Sequence, residues 1–128
     1  MDAAQALADL TEISSQIEAA VLFDEKGEVL GSTLAEERAG AALAKAAGEL
    51  LDRASALRAE GATVTQLEAS TRDGSVFVVR DGGRRIAAAT GPAPTVGLVF
   101  YDLKSCLRSA TAEPEKPKRT RRKKEPDA

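Results

Sequence analysis

The chain contains no histidine and no tryptophan, and only one cysteine, one tyrosine and three phenylalanines among its 128 residues. Without histidine, this sequence holds neither a His-based catalytic triad nor a His-ligated metal site. A lone Cys106 cannot form an internal disulfide, which fits a reducing, cytoplasmic compartment. No apolar run approaches the roughly 20 residues of a membrane-spanning helix. Met1 leads into acidic, alanine-rich sequence without a basic and then apolar leader, so no signal peptide is expected. At this length a single domain is expected. The formal charge of −2 is unevenly distributed: residues 1–110 carry 11 Lys/Arg against 16 Asp/Glu, whereas residues 111–128 carry 7 against 4. An acidic body bears a basic tail.

What is present begins with three extended runs, Val64–Ser70, Ser75–Arg80 and Arg85–Thr90, joined at Asp73-Gly74 and Asp81-Gly82-Gly83. Asp-Gly and Gly-Gly supply the positive φ that tight hairpins need, so the runs form an antiparallel meander. The middle run is apolar at Val76, Phe77, Val78 and Val79, where a half-solvated strand would alternate. Both faces of this sheet must therefore be covered. Alanines on both faces of the last run (Ala87 and Ala89, then Ala88) let helices approach closely.

Upstream, Asp2 caps a first amphipathic helix whose apolar side is Ala3, Leu7, Leu10 and Ile13. Ala19–Phe23 and Glu28–Ser32 read as a second hairpin, with Gly27 closing its turn in the left-handed region. The cluster Asp24, Glu25 and Glu28 lacks the regular spacing and terminal bidentate Glu of a calcium loop and reads as a solvated turn. Thr33-Leu-Ala-Glu36 matches a capping box and opens the longest helix, expected to run to about Ala59 and to end at Gly61. After Gly91-Pro-Ala-Pro94, Thr95 opens a last helix with Val96, Val99, Phe100, Leu103, Cys106 and Leu107 on its apolar side. With no basic group near it in sequence, Cys106 reads as an inert core thiol.

The longest helix is apolar or small around more than one face. Ala39, Leu43, Ala46, Ala47, Leu50, Ala54 and Leu57 form one arc, expected to face the sheet. Gly40, Ala44, Gly48 and Ser55 with Leu51 form a second, expected to receive a helix from another copy of the chain. An interior glycine costs a helix about 1 kcal/mol relative to alanine, so two of them call for a packing reason. Arg38, Lys45, Glu49, Asp52 and Arg53 are confined to the remaining side and are the candidate partner-binding residues. No phosphate-binding loop is present, since Asp81-Gly82-Gly83 is flanked wrongly for one. The acidic pair Glu36-Glu37 at a helix start is accounted for by the helix dipole. No catalytic residue, metal site or cofactor site is expected.

The tail beyond Glu113-Pro114 has no aliphatic residue larger than alanine and is expected to be disordered. Its Lys116, Lys118, Arg119, Arg121, Arg122, Lys123 and Lys124 offer contacts to phosphates of nucleic acid or anionic lipid, without interleaved aromatics to read bases. A polyanion-binding adaptor is therefore the alternative functional reading.

In order, Ala20-Val-Leu-Phe-Asp24, Gly27-Glu-Val-Leu30, the long alanine-rich helix, Gly74-Ser-Val-Phe-Val-Val79, Ile86-Ala-Ala-Ala-Thr90 and Gly97-Leu-Val-Phe-Tyr-Asp-Leu103 resemble the roadblock/LC7 family. That resemblance covers residues 1 to about 110, and the domain is expected over 1–112 with the tail at 113–128. It implies an α+β fold, α-β-β-α-β-β-β-α, with a five-stranded antiparallel sheet in the order 2-1-5-4-3. The long helix would lie on one face and the terminal helices on the other. The family's proteins associate with Ras-like GTPases and with dynein. The resemblance further implies dimers joined through the third strand, at Val64, Gln66 and Glu68, with paired long helices. The implied function is a non-enzymatic regulator or scaffold of a small Ras-like GTPase, stimulating hydrolysis, if it does so, without an arginine finger.

Overall fold

In the computed structural model of the chain, residues 2–57 and 63–111 are described; the expected terminator Gly61 and the basic tail lie outside the described residues. The elements are α1 (Ala3–Ile13), β1 (Ile17–Asp24), β2 (Val29–Ser32), α2 (Glu37–Ala56), β3 (Gln66–Ser70), β4 (Ser75–Asp81), β5 (Arg84–Thr90) and α3 (Val96–Thr111). They make one antiparallel five-stranded sheet in the order β2-β1-β5-β4-β3. The architecture is α+β. None of the described helices is long and apolar enough to cross a membrane.

The turns carry out the chemistry read from them. Gly82 (φ +64°) and Gly83 join Asp81 to Arg84, which are cross-strand partners, so the β4–β5 loop has two residues. Gly27 adopts φ +88° at the end of the first hairpin. There the Asp24 carboxylate accepts hydrogen bonds from Lys26 N and Glu28 N, both at 2.9 Å, and so serves the turn. Asp2 accepts from Gln5 N at 2.8 Å and caps α1 as expected.

Two cores lie on either side of the sheet. Leu7 and Leu10 of α1 and Val99, Leu103 and Leu107 of α3 pack on Ala20, Leu22, Phe77, Val79, Ile86 and Ala88. Phe100 meets Phe77 edge-on, with ring centroids 5.0 Å apart at 78°. On the opposite face, Ala44, Ala47 and Leu51 of α2 pack on Val21, Phe23, Val78 and Ala87. The alternation Ala87 to one core and Ala88 to the other is the two-sided burial that the apolar middle run requires.

Three expectations change. α2 begins at Glu37, with Glu36 at its cap and no side-chain cap hydrogen bond, so the capping box is not used. The reason is that Thr33 extends the sheet: its hydroxyl accepts from Ala20 N and its own N–H donates to Ala20 O, each at 2.9 Å. Ile13 is 67% exposed and Val96 38% exposed, because both lie at helix ends beyond the edge of the core. Most consequentially, the arcs of α2 exchange roles. Gly40, Ala44, Ala47 and Leu51 face the sheet, while Ala42, Ala46, Leu50 and Leu57 are exposed. Bulky Phe23, Val21 and Val78 already fill the sheet side, and small helix residues fit against them.

The glycines differ in what they permit. A Cβ added at Gly31 would stand 3.1 Å from both Ala3 Cβ and Leu7 Cδ1, so this glycine lets α1 settle on β2. One added at Gly48 would meet only Phe23 Cε2, at 3.9 Å, an ordinary contact. Gly31→Val is expected to destabilise the protein by about 1–3 kcal/mol through overpacking. Gly48→Ala should leave it unchanged or stabilise it by up to about 1 kcal/mol, from helix propensity. Urea unfolding curves of the two variants beside wild type check both.

Candidate interaction surface on the long helix

α2 lies over the sheet with its outer side open. Ala42, Ala46, Leu50 and Leu57 are exposed there, with Ala39 and Leu43 half-buried beside them. Leu50 is 37% and Leu57 86% exposed. Positions 39, 43, 46, 50, 53 and 57 recur every three or four residues, the spacing of a helix-pairing seam, and Arg53 interrupts it. Arg38, Lys45, Glu49 and Asp52 continue around the helix on one flank, and all four are exposed. The expected partner-binding residues thus do share one surface.

That flank borders two depressions against the first hairpin. One, about 840 Å³, is lined by Val29, Ser32, Leu34 and Ala35 together with Arg38 and Ala41. The other, about 460 Å³, runs between Phe23 to Gly27 and the stretch Ala41 to Asp52, and contains Lys45 and Arg85. Arg85 was not singled out in the sequence, where it stands as one basic residue at the start of a strand.

The residues expected to pair two copies are distributed differently. Gly40, Ala44 and Leu51 are buried against the sheet, and Gly48 lies above Phe23. Ser55 Oγ accepts from Val64 N at 3.4 Å, and Val64 packs on the α2 core, tying the start of the β3 segment to this chain's own helix. Gln66 and Glu68 are exposed on β3. β3 pairs with β4 alone among the described residues, which leaves its outer edge open. Glu68 accepts hydrogen bonds from Ser70 Oγ (2.6 Å) and Ser75 Oγ (3.4 Å).

Five antiparallel strands in this order, with the long helix on one face and two terminal helices on the other, are also found in solved structures. A roadblock/LC7 domain from Streptomyces avermitilis superposes with a TM-score of 0.79 at 17% identity, covering 88% of this chain and 97% of that one. The fold is that of a roadblock/LC7 domain. The gliding protein MglB from Thermus thermophilus matches the same roadblock fold at a TM-score of 0.72 and 16% identity, over 86% of each chain. LokiProfilin2, solved in complex with rabbit actin, matches at 0.57 and 15% identity, over 82% of this chain and 92% of that one. No family model and no curated protein sequence matches. At such identities the likeness describes the roadblock architecture and leaves its use to the surface chemistry.

Cys106 is buried on the far side of the sheet, where its thiol donates to Ala6 O at 3.4 Å. Burial, and secondarily the Asp9 carboxylate, pushes its pKa up from 9.0 to about 11. A protonated, enclosed thiol is a poor nucleophile. The folded state therefore holds this proton more tightly than the unfolded chain does. The resulting stability is fully present below about pH 9 and is lost as pH rises to about 11. The difference in unfolding free energy between wild type and Cys106→Ala should shrink across that window. At pH 8, a thiol reagent should label the native protein far more slowly than the urea-unfolded chain.

Proposed function

We propose that this protein is a non-enzymatic, dimeric regulator or scaffold of a small Ras-like GTPase. The observation that carries the reading is the apolar seam on the outer side of α2. Leucines that remain exposed on a helix already anchored to its sheet are a surface for another protein surface. The open edge of β3 lies in the same molecule and supplies unpaired backbone groups of the kind that join sheets. The resemblance to roadblock/LC7 proteins and the structural likeness to MglB point to a second copy as the occupant and to a GTPase as its client.

In this reading the pairing residues are Ala42, Ala46, Leu50 and Leu57 with the edge at Gln66 and Glu68, in place of the inward arc of Gly40, Ala44, Gly48 and Leu51. Two copies would then present their Arg38, Lys45, Glu49, Asp52 and Arg53 sets as one composite surface. Charges flanking an apolar seam orient a partner and reject wrong ones more than they add affinity. Regulation and dimerisation are linked because a single copy carries only half of that surface.

Leu50→Glu is the decisive variant, since it puts a charge into the seam at a position this chain does not need for its own core. Sedimentation at micromolar concentration should give a dimer for wild type and a monomer for Leu50→Glu, with melting temperatures close together. Burying Leu50 is expected to contribute about 1–2 kcal/mol per copy to pairing. GTP hydrolysis by a cognate Ras-like GTPase, or its capture, should be lost with the dimer. Stimulation that survives Arg38→Ala and Arg53→Ala singly supports action without an arginine finger. A monomeric wild type overturns the seam, and a dimer that neither captures nor stimulates its GTPase overturns the client.

A further inference from the structure

The sheet carries two arginines that nothing among the described residues neutralises. Arg80 of β4 and Arg85 of β5 are direct cross-strand partners. Alternation places both on the side of Val78 and Ala87, the side that α2 covers. Like charges directly opposite one another on a sheet repel. Arg85 is only 8% exposed, and the Nε atoms of both arginines are buried without a hydrogen-bond partner. Neither side chain forms an ion pair among the described residues. Glu25 of the first hairpin lies against the β4–β5 turn, 3.1 Å from where a Cβ on Gly83 would stand. A buried guanidinium Nε without an acceptor is unfavourable.

Space for such an acceptor adjoins it. Arg85 lines the 460 Å³ depression, together with Phe23, Lys26, Ala44, Lys45 and Gly48. Gly48 is an independent pointer to the same place. Glycine weakens a helix interior, yet a Cβ there would meet only an ordinary contact with Phe23, so packing within the chain does not call for it. What its missing side chain leaves is room inside the depression. The cations of the lining are Lys26, Lys45 and Arg85 and its acids are Glu25 and Asp52, which leaves one positive charge in excess. That excess favours an anion over a neutral or cationic ligand.

We propose that this depression is an oxyanion-binding site for a phosphorylated small molecule. Arg85 presents its fork of N–H donors to the phosphate oxygens, a geometry guanidinium matches better than ammonium does. Lys26 and Lys45 add charge at the exposed mouth, and the missing side chain of Gly48 leaves space beside them. The volume lies within the range of small-ligand pockets. The site is complete in one copy of the chain and does not depend on the GTPase reading.

The test uses the full chain, with inorganic phosphate as probe and chloride and acetate at matched ionic strength as references. Phosphate at tenfold its dissociation constant should raise the melting temperature of wild type by roughly 5 °C, and acetate by less. Gly48→Leu, which fills the depression, and Arg85→Met, which removes the donors at similar length, should lose the rise. Lys45→Gln should diminish it, and Arg72→Gln, at the exposed β3–β4 turn outside the depression, should keep it. Arg85→Met should also melt higher than wild type without phosphate, because an unpartnered buried charge has been replaced by an apolar chain. No rise in wild type, or an equal rise in Gly48→Leu and Arg85→Met, would overturn the site. An acetate effect as large as that of phosphate would overturn the phosphate assignment.

Discussion

A sheet buried on both faces is the constraint from which the rest follows. Val76 to Val79 alternate between two cores, so neither face of the central strands tolerates water. Five strands spaced about 4.8 Å apart make a sheet about 20 Å across. One helix with its side chains is about 10 Å wide. On one face α1 and α3 lie side by side and suffice. On the other, α2 is alone and covers about half the width. The exposed seam, the depressions along the first hairpin and the buried Arg85 all occur on that under-covered side.

Much of this was legible in the sequence because each signal rests on local stereochemistry. Asp81-Gly82-Gly83 and Gly27 need positive φ wherever they fold, and they mark turns at the positions expected. Four consecutive apolar residues at 76–79 predict covering on both faces without any knowledge of what covers them. The order of the strands, however, is not written in hairpin signals. Nothing local says that β5 inserts between β1 and β4, and that order came with the family resemblance. The capping box at Thr33 failed because the same hydroxyl that could cap a helix also serves Ala20 N across the sheet, and the long-range bond won.

The exchange of faces on α2 has a different cause. Helical periodicity reports that a face is apolar, not which neighbour it meets, and α2 has two apolar faces. Counting the larger side chains assigns Leu43, Leu50 and Leu57 to the core. The sheet decides otherwise, because Phe23 and Val78 rise from it and leave room for Gly40, Ala44 and Ala47. A sequence signal was available: Leu51 is the only large residue among those small ones, while leucines at 43, 50 and 57 recur at sevenfold spacing. Arg85 had no comparable signal. Its burial depends on α2 crossing above it, a long-range fact.

The distribution of size along the seam bears on how two copies of α2 would meet. At its exposed positions, alanines at 42 and 46 occupy the first half and leucines at 50 and 57 the second, with Leu43 half-buried beside Ala39. A parallel pair would set leucine against leucine at one end and alanine against alanine at the other, crowding one end and leaving the other empty. An antiparallel pair with its two-fold axis near Ala46 sets Leu50 of each copy over Ala42 of the partner, and Arg53 over Ala39. Large then meets small at those two positions, as close packing demands. The helix dipoles also oppose each other in that arrangement. Arg53, aliphatic stem on the seam and guanidinium beyond it, would end near Glu36 and Glu37 of the partner subunit, whose carboxylates attract it. The one charged residue in an otherwise apolar stripe is thus positioned to fix the direction in which the two helices run.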